Sequence, residues 1–316
     1  MFSALKRRQQ QQSSRHRSQQ SLTLNRFFDE HYFPHVRATK RSTKDTWSTY
    51  NIHLREQFGS YRLDELSNPL FDVWVREQIV AGYQRSTINK HIFLVNRMLN
   101  LARHWGYIER SKDLSNIQRL MLGDYKQRFL SEAEIAALLT QAQRTTHPHI
   151  YNVVRLLLLT GARKGEARLA RWCDIDRAKR IWTVPRSKNG RTRRIVLSTA
   201  AMSLLDDCVL NCERLGLGTD SKSYIFTNPR TLTAYDSFYA VWHLIRAAAE
   251  LPDVRIHDLR HTYASVLINN GVSLYEVQTL LGHSSVQMTQ RYAHLQPDLL
   301  HQRTEIVGSI VGGSSA

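Results

Sequence analysis

The sequence predicts a mainly helical protein with a small antiparallel β-sheet, divided between two folded domains. Apolar residues recur at helical spacing through most of the chain, which is typical of helices that bury one face. The dipeptide Asn189-Gly190 lies between two short strand-like runs, which is the pattern of a β-hairpin. The chain has 316 residues, of which 42% are hydrophobic, so it is long enough for two domains with packed cores.

The first predicted domain comprises residues 21–110 and follows a basic, glutamine-rich head at residues 1–20. The head has too few apolar residues to fold alone, so we expect it to be disordered. The domain itself is predicted to be a bundle of short helices, one of which begins at Asn68-Pro69. The next helix begins at Ser86, and its apolar stripe consists of Ile88, Ile92, Val95, Leu99 and Ala102.

The second predicted domain, residues 129–295, follows a charged linker at residues 111–128. It begins with a capping box of Ser131 and Glu134, and a later helix begins with a capping box of Ser273 and Glu276. Between these helices, the runs IWTVP and RRIVLS are predicted to pair as a hairpin, and SYIFTN is predicted to form a further short strand. The remainder of the domain is predicted to be helical.

Composition indicates the kind of partner and the compartment. The net charge of +17 favours a polyanionic partner such as nucleic acid, although an anionic membrane surface would attract the same charge. The three cysteines show neither a disulfide framework nor zinc spacing, and Cys208 and Cys212 lie one helical turn apart, as on a core face. No apolar run reaches the roughly 18 residues of a membrane span, and no secretory signal is present. We therefore expect a soluble cytoplasmic protein.

Two arginines near predicted helix ends are candidates for holding a phosphate. Arg163 lies in TGARKGE and Arg260 in HDLR, and a guanidinium binds phosphate through two contacts while it stays charged. His257 lies three residues before Arg260 and so shares its helix face. His283 follows Gly282, where the chain turns. Taken alone, each of these side chains could equally make an ordinary surface salt bridge or cap a helix.

Lys188 and Tyr292 are candidates for a proton donor and a nucleophile. Lys188 lies in the predicted hairpin, where nearby cations could lower its pKa enough for it to protonate a leaving oxygen. The phenol of Tyr292 could attack phosphorus if cations or a base activate it, and Tyr263 and Tyr275 are rival tyrosines. His261, one turn after the histidine of HDLR, could suggest zinc. The sequence lacks a clustered third ligand, however, so no metal site is expected.

The second domain resembles the catalytic domain of the tyrosine recombinases, the phage integrase family, over about residues 130–295. The resemblance rests on TGARKGEARLARWCDID, SKNGRTRRIVLS and IHDLRHTYASVLINNGVSLYEVQTLLGHSSVQMTQRYAHL. All six active-site positions of that family hold their usual residue types. The first domain is similar to the SAM-like core-binding domain, which binds DNA. The resemblance implies a site-specific recombinase that integrates or excises a phage or another mobile element.

The resemblance also implies a role for each cation of the site. Arg163 and Arg260 would clamp the scissile phosphate, and His283 would donate a hydrogen bond to it. Lys188 would protonate the leaving 5′ oxygen.

For the nucleophile, the resemblance implies that Tyr292 attacks phosphorus and forms a 3′-phosphotyrosyl enzyme. His257 would assist proton transfer at the tyrosine, and Glu166 would orient the cations. This chemistry requires neither a metal nor a cofactor.

Members of this family act as four protomers on two DNA sites, so the implied partners are double-stranded DNA, three further copies of the chain and accessory DNA-bending or directionality proteins. The C-terminal tail, residues 296–316, would pack on a neighbouring protomer or on its own domain. The expected location is the nucleoid within the cytoplasm, with no membrane partner. Two alternatives remain open: a catalytically silent DNA-binding regulator of the same fold, and a type IB-like topoisomerase.

Overall fold

The computed structural model describes residues 22–108, 116–123, 128–185, 192–283, 285, 287–290, 292 and 307. The chain divides into two compact units, Met1–Tyr125 and Lys126–Ala316. The predicted head, the Asn189-Gly190 turn and nearly all of the predicted tail lie outside the described residues. No helix among the described residues is long and apolar enough to cross a membrane. The predicted fold class is confirmed, since both units are mainly helical and the second contains a small antiparallel sheet.

The first unit is a bundle of short helices around an aromatic-rich core. A π-helical turn, Phe28–Tyr32, joins its first two helices, and the rings of Phe28 and Tyr50 stack with 3.7 Å between their centroids. The helices described in this unit are α1 (Leu24–Phe27), α2 (Phe33–Thr39), α3 (Lys44–His53), α4 (Arg55–Phe58), α5 (Asn68–Val80) and α6 (Arg85–His104).

The long helix α6 supplies much of the apolar face that packs into this core. The five residues of its predicted stripe are all buried, which confirms that prediction. The start of α5 differs from the prediction by one residue. Ser67 occupies the N-cap in an extended conformation, and Asn68 is already helical, with Pro69 in the first turn.

Residues 116–123 run beside α6 and are held by two side chains of that helix. Asn89 accepts a hydrogen bond from the Leu120 N–H at 2.8 Å and donates one to the Leu120 carbonyl at 2.9 Å. Asn96, two turns later, forms the same pair of bonds with Ile117, both at 2.9 Å. We call these two pairs the asparagine clamps. They make this segment, which lies within the predicted linker, a part of the first unit.

The second unit packs helices around a three-stranded sheet. Its described helices are α7 (Glu132–Arg144), α8 (Ile150–Thr160), α9 (Lys164–Arg168), α10 (Thr199–Arg214), α11 (Tyr239–Ala248), α12 (Asp258–Asn269), α13 (Leu274–Leu281) and α14 (Gln287–Gln290), with a 3₁₀ turn at Trp172–Asp174. The strands β1 (Ile175–Asp176), β2 (Ile181–Val184) and β3 (Arg193–Val196) form an antiparallel sheet in that order. Both predicted capping boxes are present, and Cys208 and Cys212 lie in the core as predicted.

One strand prediction is wrong. The predicted hairpin strands correspond to β2 and β3, which pair with Trp182 opposite Ile195. The run SYIFTN, in contrast, forms only isolated bridges, and β1 supplies the third strand of the sheet instead. The reason is that the backbone of SYIFTN bonds to loop residues: Ile225 donates to the Ala170 carbonyl, and Trp172 donates to the Ser223 carbonyl.

Candidate active site

The candidate site is built where two helices of the second unit end. Helix α8 ends at Gly161 and α13 ends at Gly282, and both glycines have left-handed backbones, with φ of 59° and 62°. Arg260 of α12 donates from Nη1 to the Gly161 carbonyl at 2.6 Å and from Nη2 to the Leu281 carbonyl at 2.7 Å. Carbonyls at helix C-termini carry partial negative charge, so they hold this cation in a fixed orientation.

Arg260 is buried, with 3% of its surface exposed. Burial, and then the neighbouring Arg193 and Arg163, lower its pKa to about 9. The two carbonyl bonds leave three of the five N–H donors of its guanidinium for other partners. An anion that reached this group would relieve the repulsion among the arginines, so the site favours a bound anion.

Glu166 links two further arginines. It accepts a bond from Arg163 Nη1 at 2.7 Å through Oε1 and one from Arg193 Nη1 at 2.8 Å through Oε2. It also accepts the main-chain N–H of Arg163 at 2.9 Å, which fixes the start of α9. Burial opposes ionisation of this carboxyl, but Arg193 and Arg163 outweigh it and lower the pKa of Glu166 below its ordinary value. One carboxylate therefore orients two guanidinium groups.

Arg193 is the first residue of β3 and points inward from the sheet. It donates from Nη2 to the Leu280 carbonyl at 3.0 Å, one residue before the carbonyl that holds Arg260. Burial lowers the pKa of Arg193, and its Nε has no hydrogen-bond partner among the described residues. Sequence reasoning did not identify this residue. The signal that could have identified it is the alternation in RRIV, which turns Arg193 and Ile195 to the buried face.

His257 lies directly before α12, at its N-cap. Although the residue is exposed, protein atoms around the ring lower its pKa by desolvation, and Arg260 lowers it further. Its ring makes an edge-on contact with the ring of His261, with 5.1 Å between centroids. Both effects favour the neutral form of the His257 ring.

Tyr292 is buried, with 1% of its surface exposed, and packs against the apolar side of α12 and α13. Its hydroxyl lies 2.5 Å from Nδ1 of His261, which is 5% exposed. Sequence reasoning considered His261 only as a metal ligand and so missed this contact. Of the rival tyrosines, Tyr263 packs against Gly161 and interacts electrostatically with Arg193 and Arg260, whereas Tyr275 is 78% exposed on α13.

His283 follows Gly282, as predicted, and its Nδ1 lies 2.8 Å from the Thr289 hydroxyl. Lys188 lies outside the described residues. Of the residues predicted for the site, Arg163, Glu166 and Arg260 thus belong to one cluster. Within the described part of the chain, no three His, Cys, Asp or Glu side chains come together as a metal site.

Comparison with known proteins identifies relatives of the whole chain and of the second unit. The profile of the Phage integrase family matches residues 128–298. The integrase of Escherichia phage 186 is 26% identical over 294 residues, which cover 90% of this chain and 81% of that protein. Tyrosine recombinase XerC of Bacillus licheniformis is 28% identical over 256 residues, which cover 77% of this chain and 82% of that protein.

Solved structures show the same fold. The Tn1549 transposon integrase in complex with circular intermediate DNA has a TM-score of 0.70 at 18% identity, over 86% of this chain and 95% of that chain. The lambda integrase tetramer bound to a Holliday junction has a TM-score of 0.68 at 19% identity, over 86% of this chain and 77% of that one. The two-unit architecture of this chain is therefore the fold of these integrases.

Proposed function

The chain belongs to the phage integrase family, a group of DNA strand-transferring enzymes, and we propose that it is a site-specific recombinase that integrates or excises a mobile element. The observation that carries this proposal is the cluster of Arg163, Arg193 and Arg260, in which the buried Arg260 interacts electrostatically with the buried Tyr292. Cations held by fixed carbonyls and a carboxylate need no rearrangement when negative charge develops on a phosphate. A tyrosine beside them supplies the attacking oxygen.

In the proposed reaction, Arg163 and Arg260 hold the non-bridging oxygens of the scissile phosphate. Glu166 supports this role because it fixes the orientation of Arg163 at 2.7 Å. His283 donates a further hydrogen bond to the phosphate, from the turn after α13. The carbonyl bonds of Arg260 support its role because they hold the planar guanidinium in place before DNA arrives.

The chemical step is an exchange of one ester for another. The Tyr292 oxygen forms a bond to phosphorus, the bond from phosphorus to the 5′ oxygen breaks, and Lys188 protonates the departing oxygen. The product is a 3′-phosphotyrosyl enzyme and a free 5′ hydroxyl, and attack by a 5′ hydroxyl of a partner strand reverses the step. According to the resemblance, His257 would assist proton transfer at the tyrosine. The bond energy stays in the covalent link, so the exchange requires neither ATP nor a metal.

The proposed partners are double-stranded DNA and further copies of the chain. The net charge of +17 supports a polyanionic partner. We propose that the first unit acts as the core-binding domain and that four protomers assemble on two DNA sites. The tail, residues 296–316, would then contact a neighbouring protomer. We also propose accessory DNA-bending or directionality proteins as partners. The proposed location is the nucleoid.

Covalent trapping tests this function. The protein is mixed with DNA that spans the flanks of its own gene, denatured with detergent and examined for protein-linked DNA, with Tyr292→Phe as the matched control. An adduct that forms with wild type and not with Tyr292→Phe supports the proposal and locates the cleavage site. Tight binding without an adduct would favour a silent DNA-binding regulator. Relaxation of supercoiled DNA without strand exchange would favour a topoisomerase.

A further inference from the structure

We propose that His261 is a catalytic residue that accepts the phenolic proton of Tyr292 as the tyrosine oxygen attacks phosphorus. This inference rests on the proposed strand-transfer function and names the base for its first step. A general base must lie within hydrogen-bond reach of the proton that it removes. Nδ1 of His261 meets this condition, since it lies 2.5 Å from the Tyr292 hydroxyl.

The fold holds the two groups together from different elements. His261 lies on α12, one turn after His257, and Tyr292 lies after α14, 31 residues further along the chain. Their rings are tilted by 52°, with 5.8 Å between centroids, so the hydroxyl meets the edge of the imidazole where its nitrogen lies. Both side chains are buried, which limits the rotamers that they can adopt.

The direction of the hydrogen bond follows from what the reaction needs. In the neutral tautomer with its proton on Nε2, His261 offers the lone pair of Nδ1, and the phenol donates to it. On attack, the proton passes from the phenol to Nδ1 while the oxygen–phosphorus bond forms. The 5′ oxygen leaves with a proton from Lys188. In the reverse step, the phenolate leaves phosphorus and takes its proton back from Nδ1.

His257 has a different position relative to these groups. Its ring meets that of His261 edge-on, at the exposed start of α12. His257 is therefore placed to orient His261, and it interacts electrostatically with Arg260 and Arg163. The base assigned here is the histidine in contact with the reacting oxygen, one helical turn deeper in the fold.

The test uses full-length protein and a DNA duplex that contains the cleavage site located by covalent trapping. One duplex carries the ordinary phosphodiester, and a second carries sulfur in place of the bridging 5′ oxygen. A thiolate leaves without a proton, so the sulfur duplex removes the need for a general acid and leaves the need for a base. The readout is the rate of the covalent adduct for wild type, His261→Asn, Lys188→Ala and His243→Asn.

Asparagine keeps a hydrogen-bonding group near the position of Nδ1 but cannot take up a proton. We expect His261→Asn to slow adduct formation at least ~100-fold on both duplexes, because general bases contribute about 10²- to 10⁴-fold. Its rate should rise about tenfold per pH unit, as hydroxide replaces the lost base. Lys188→Ala should be slow on the ordinary duplex and recover on the sulfur duplex. His243→Asn, on α11 outside the site, should react like wild type.

Three results would overturn the assignment of His261. They are a rate for His261→Asn within about fivefold of wild type, a defect that the sulfur duplex repairs, and a pH dependence identical to that of wild type.

If His261→Asn does not fold, His261→Ala is assayed with added imidazole, and only restoration of the adduct by imidazole supports a base at this position. Absence of any Tyr292-dependent adduct with the wild-type protein would contradict the recombinase function itself, which is a separate outcome.

Discussion

Arg193 and Glu166 form an ion pair inside the second unit, with 2.8 Å between Arg193 Nη1 and Glu166 Oε2. Each side chain has 6% of its surface exposed, so neither charge is solvated when the other is absent. The pair also connects β3 to α9, since Glu166 bonds to Arg163 as well. The position of Arg163, a candidate phosphate-binding residue, therefore depends on Glu166, which has no proposed contact with the phosphate.

Removing Glu166 should destabilise the second unit. Removing one partner of a buried ion pair typically lowers the free energy of unfolding by about 3 to 5 kcal/mol, because the remaining charge stays buried. We expect Glu166→Ala to lower the free energy of unfolding by about that amount in urea titrations followed by circular dichroism. Glu213→Ala, an exposed change on α10, is the control. A loss below about 1 kcal/mol for Glu166→Ala would mean that water reaches Arg193 and solvates it.

Replacement of Arg260 by lysine should impair the reaction although the charge is kept. An ammonium group cannot reproduce the planar fork that bonds to the carbonyls of Gly161 and Leu281. We expect the adduct rate to fall by about 10²- to 10³-fold, as for the loss of a preorganised donor, with DNA affinity nearly unchanged. Arg144→Lys, exposed at the end of α7, should react at the wild-type rate. A loss of only a few-fold for Arg260→Lys would indicate a structural role.

A methyl group at Gly161 should displace the carbonyl that holds Arg260. The glycine has φ of 59°, and an added Cβ would lie 2.5 Å from Cδ1 of Tyr263. The left-handed backbone and the overlap together should destabilise the unit by about 2 to 4 kcal/mol. We expect Gly161→Ala to lower both the melting temperature and the adduct rate. Gly216→Ala is the control. Gly216 has a similar φ of 66°, but a Cβ added there would have no atom within 4 Å, so this variant shows the effect of the left-handed backbone without steric overlap. Equal effects of the two substitutions would remove the steric explanation.

The features predicted correctly from sequence are those with local signals. Ser131 with Glu134 and Ser273 with Glu276 form their capping boxes within a single turn, and each is visible in four consecutive residues. The position of His283 after a left-handed glycine is similarly local. These patterns depend on backbone geometry that neighbouring residues determine.

The features that were missed depend on contacts between distant residues. Arg193 bonds to a carbonyl 87 residues away, and His261 meets a hydroxyl 31 residues away. No spacing along the chain indicates such pairs. The wrong prediction of a strand at SYIFTN has the same origin. Ile225 and Phe226 are both buried in the core, although alternation would expose one of them, and Ile225 donates its N–H to the carbonyl of Ala170, which lies far away in the sequence.

Loss of both asparagine clamps should release residues 116–123 from α6. Each clamp contributes two hydrogen bonds to backbone groups, and a typical bond contributes about 1 kcal/mol. We expect Asn89→Ala with Asn96→Ala to speed cleavage by trypsin after Arg119 and to raise amide exchange at Ile117 and Leu120. Asn100→Ala, one turn beyond the clamps, is the control. Unchanged cleavage would show that side-chain packing alone holds the segment.

The stability of the second unit should fall as pH decreases from 6.5 towards 4. Burial lowers the pKa of His149 to about 4, and Nε2 donates to the Thr227 carbonyl while Nδ1 accepts from Asn211, a pattern that requires the neutral ring. The unfolded state takes up a proton near pH 6.5 and the folded state does not, so acid favours unfolding.

We expect unfolding free energies at pH 7 and pH 5 to differ by about 2 kcal/mol more in wild type than in His149→Gln. The measurement is a urea titration of each protein at both pH values, with exposed His104→Gln as the control. An equal pH dependence in wild type and His149→Gln would mean that other groups control acid unfolding.

The asparagine clamps also make the backbone course of residues 116–123 largely independent of the amino acids in that segment. Because Asn89 and Asn96 bond to backbone atoms, the course of residues 116–123 does not depend on most of their side chains. Met121, 84% exposed, can therefore be exchanged for a labelled cysteine without a change in where the label is attached. A fluorophore at that position would report the orientation of α6 rather than the motion of a loop.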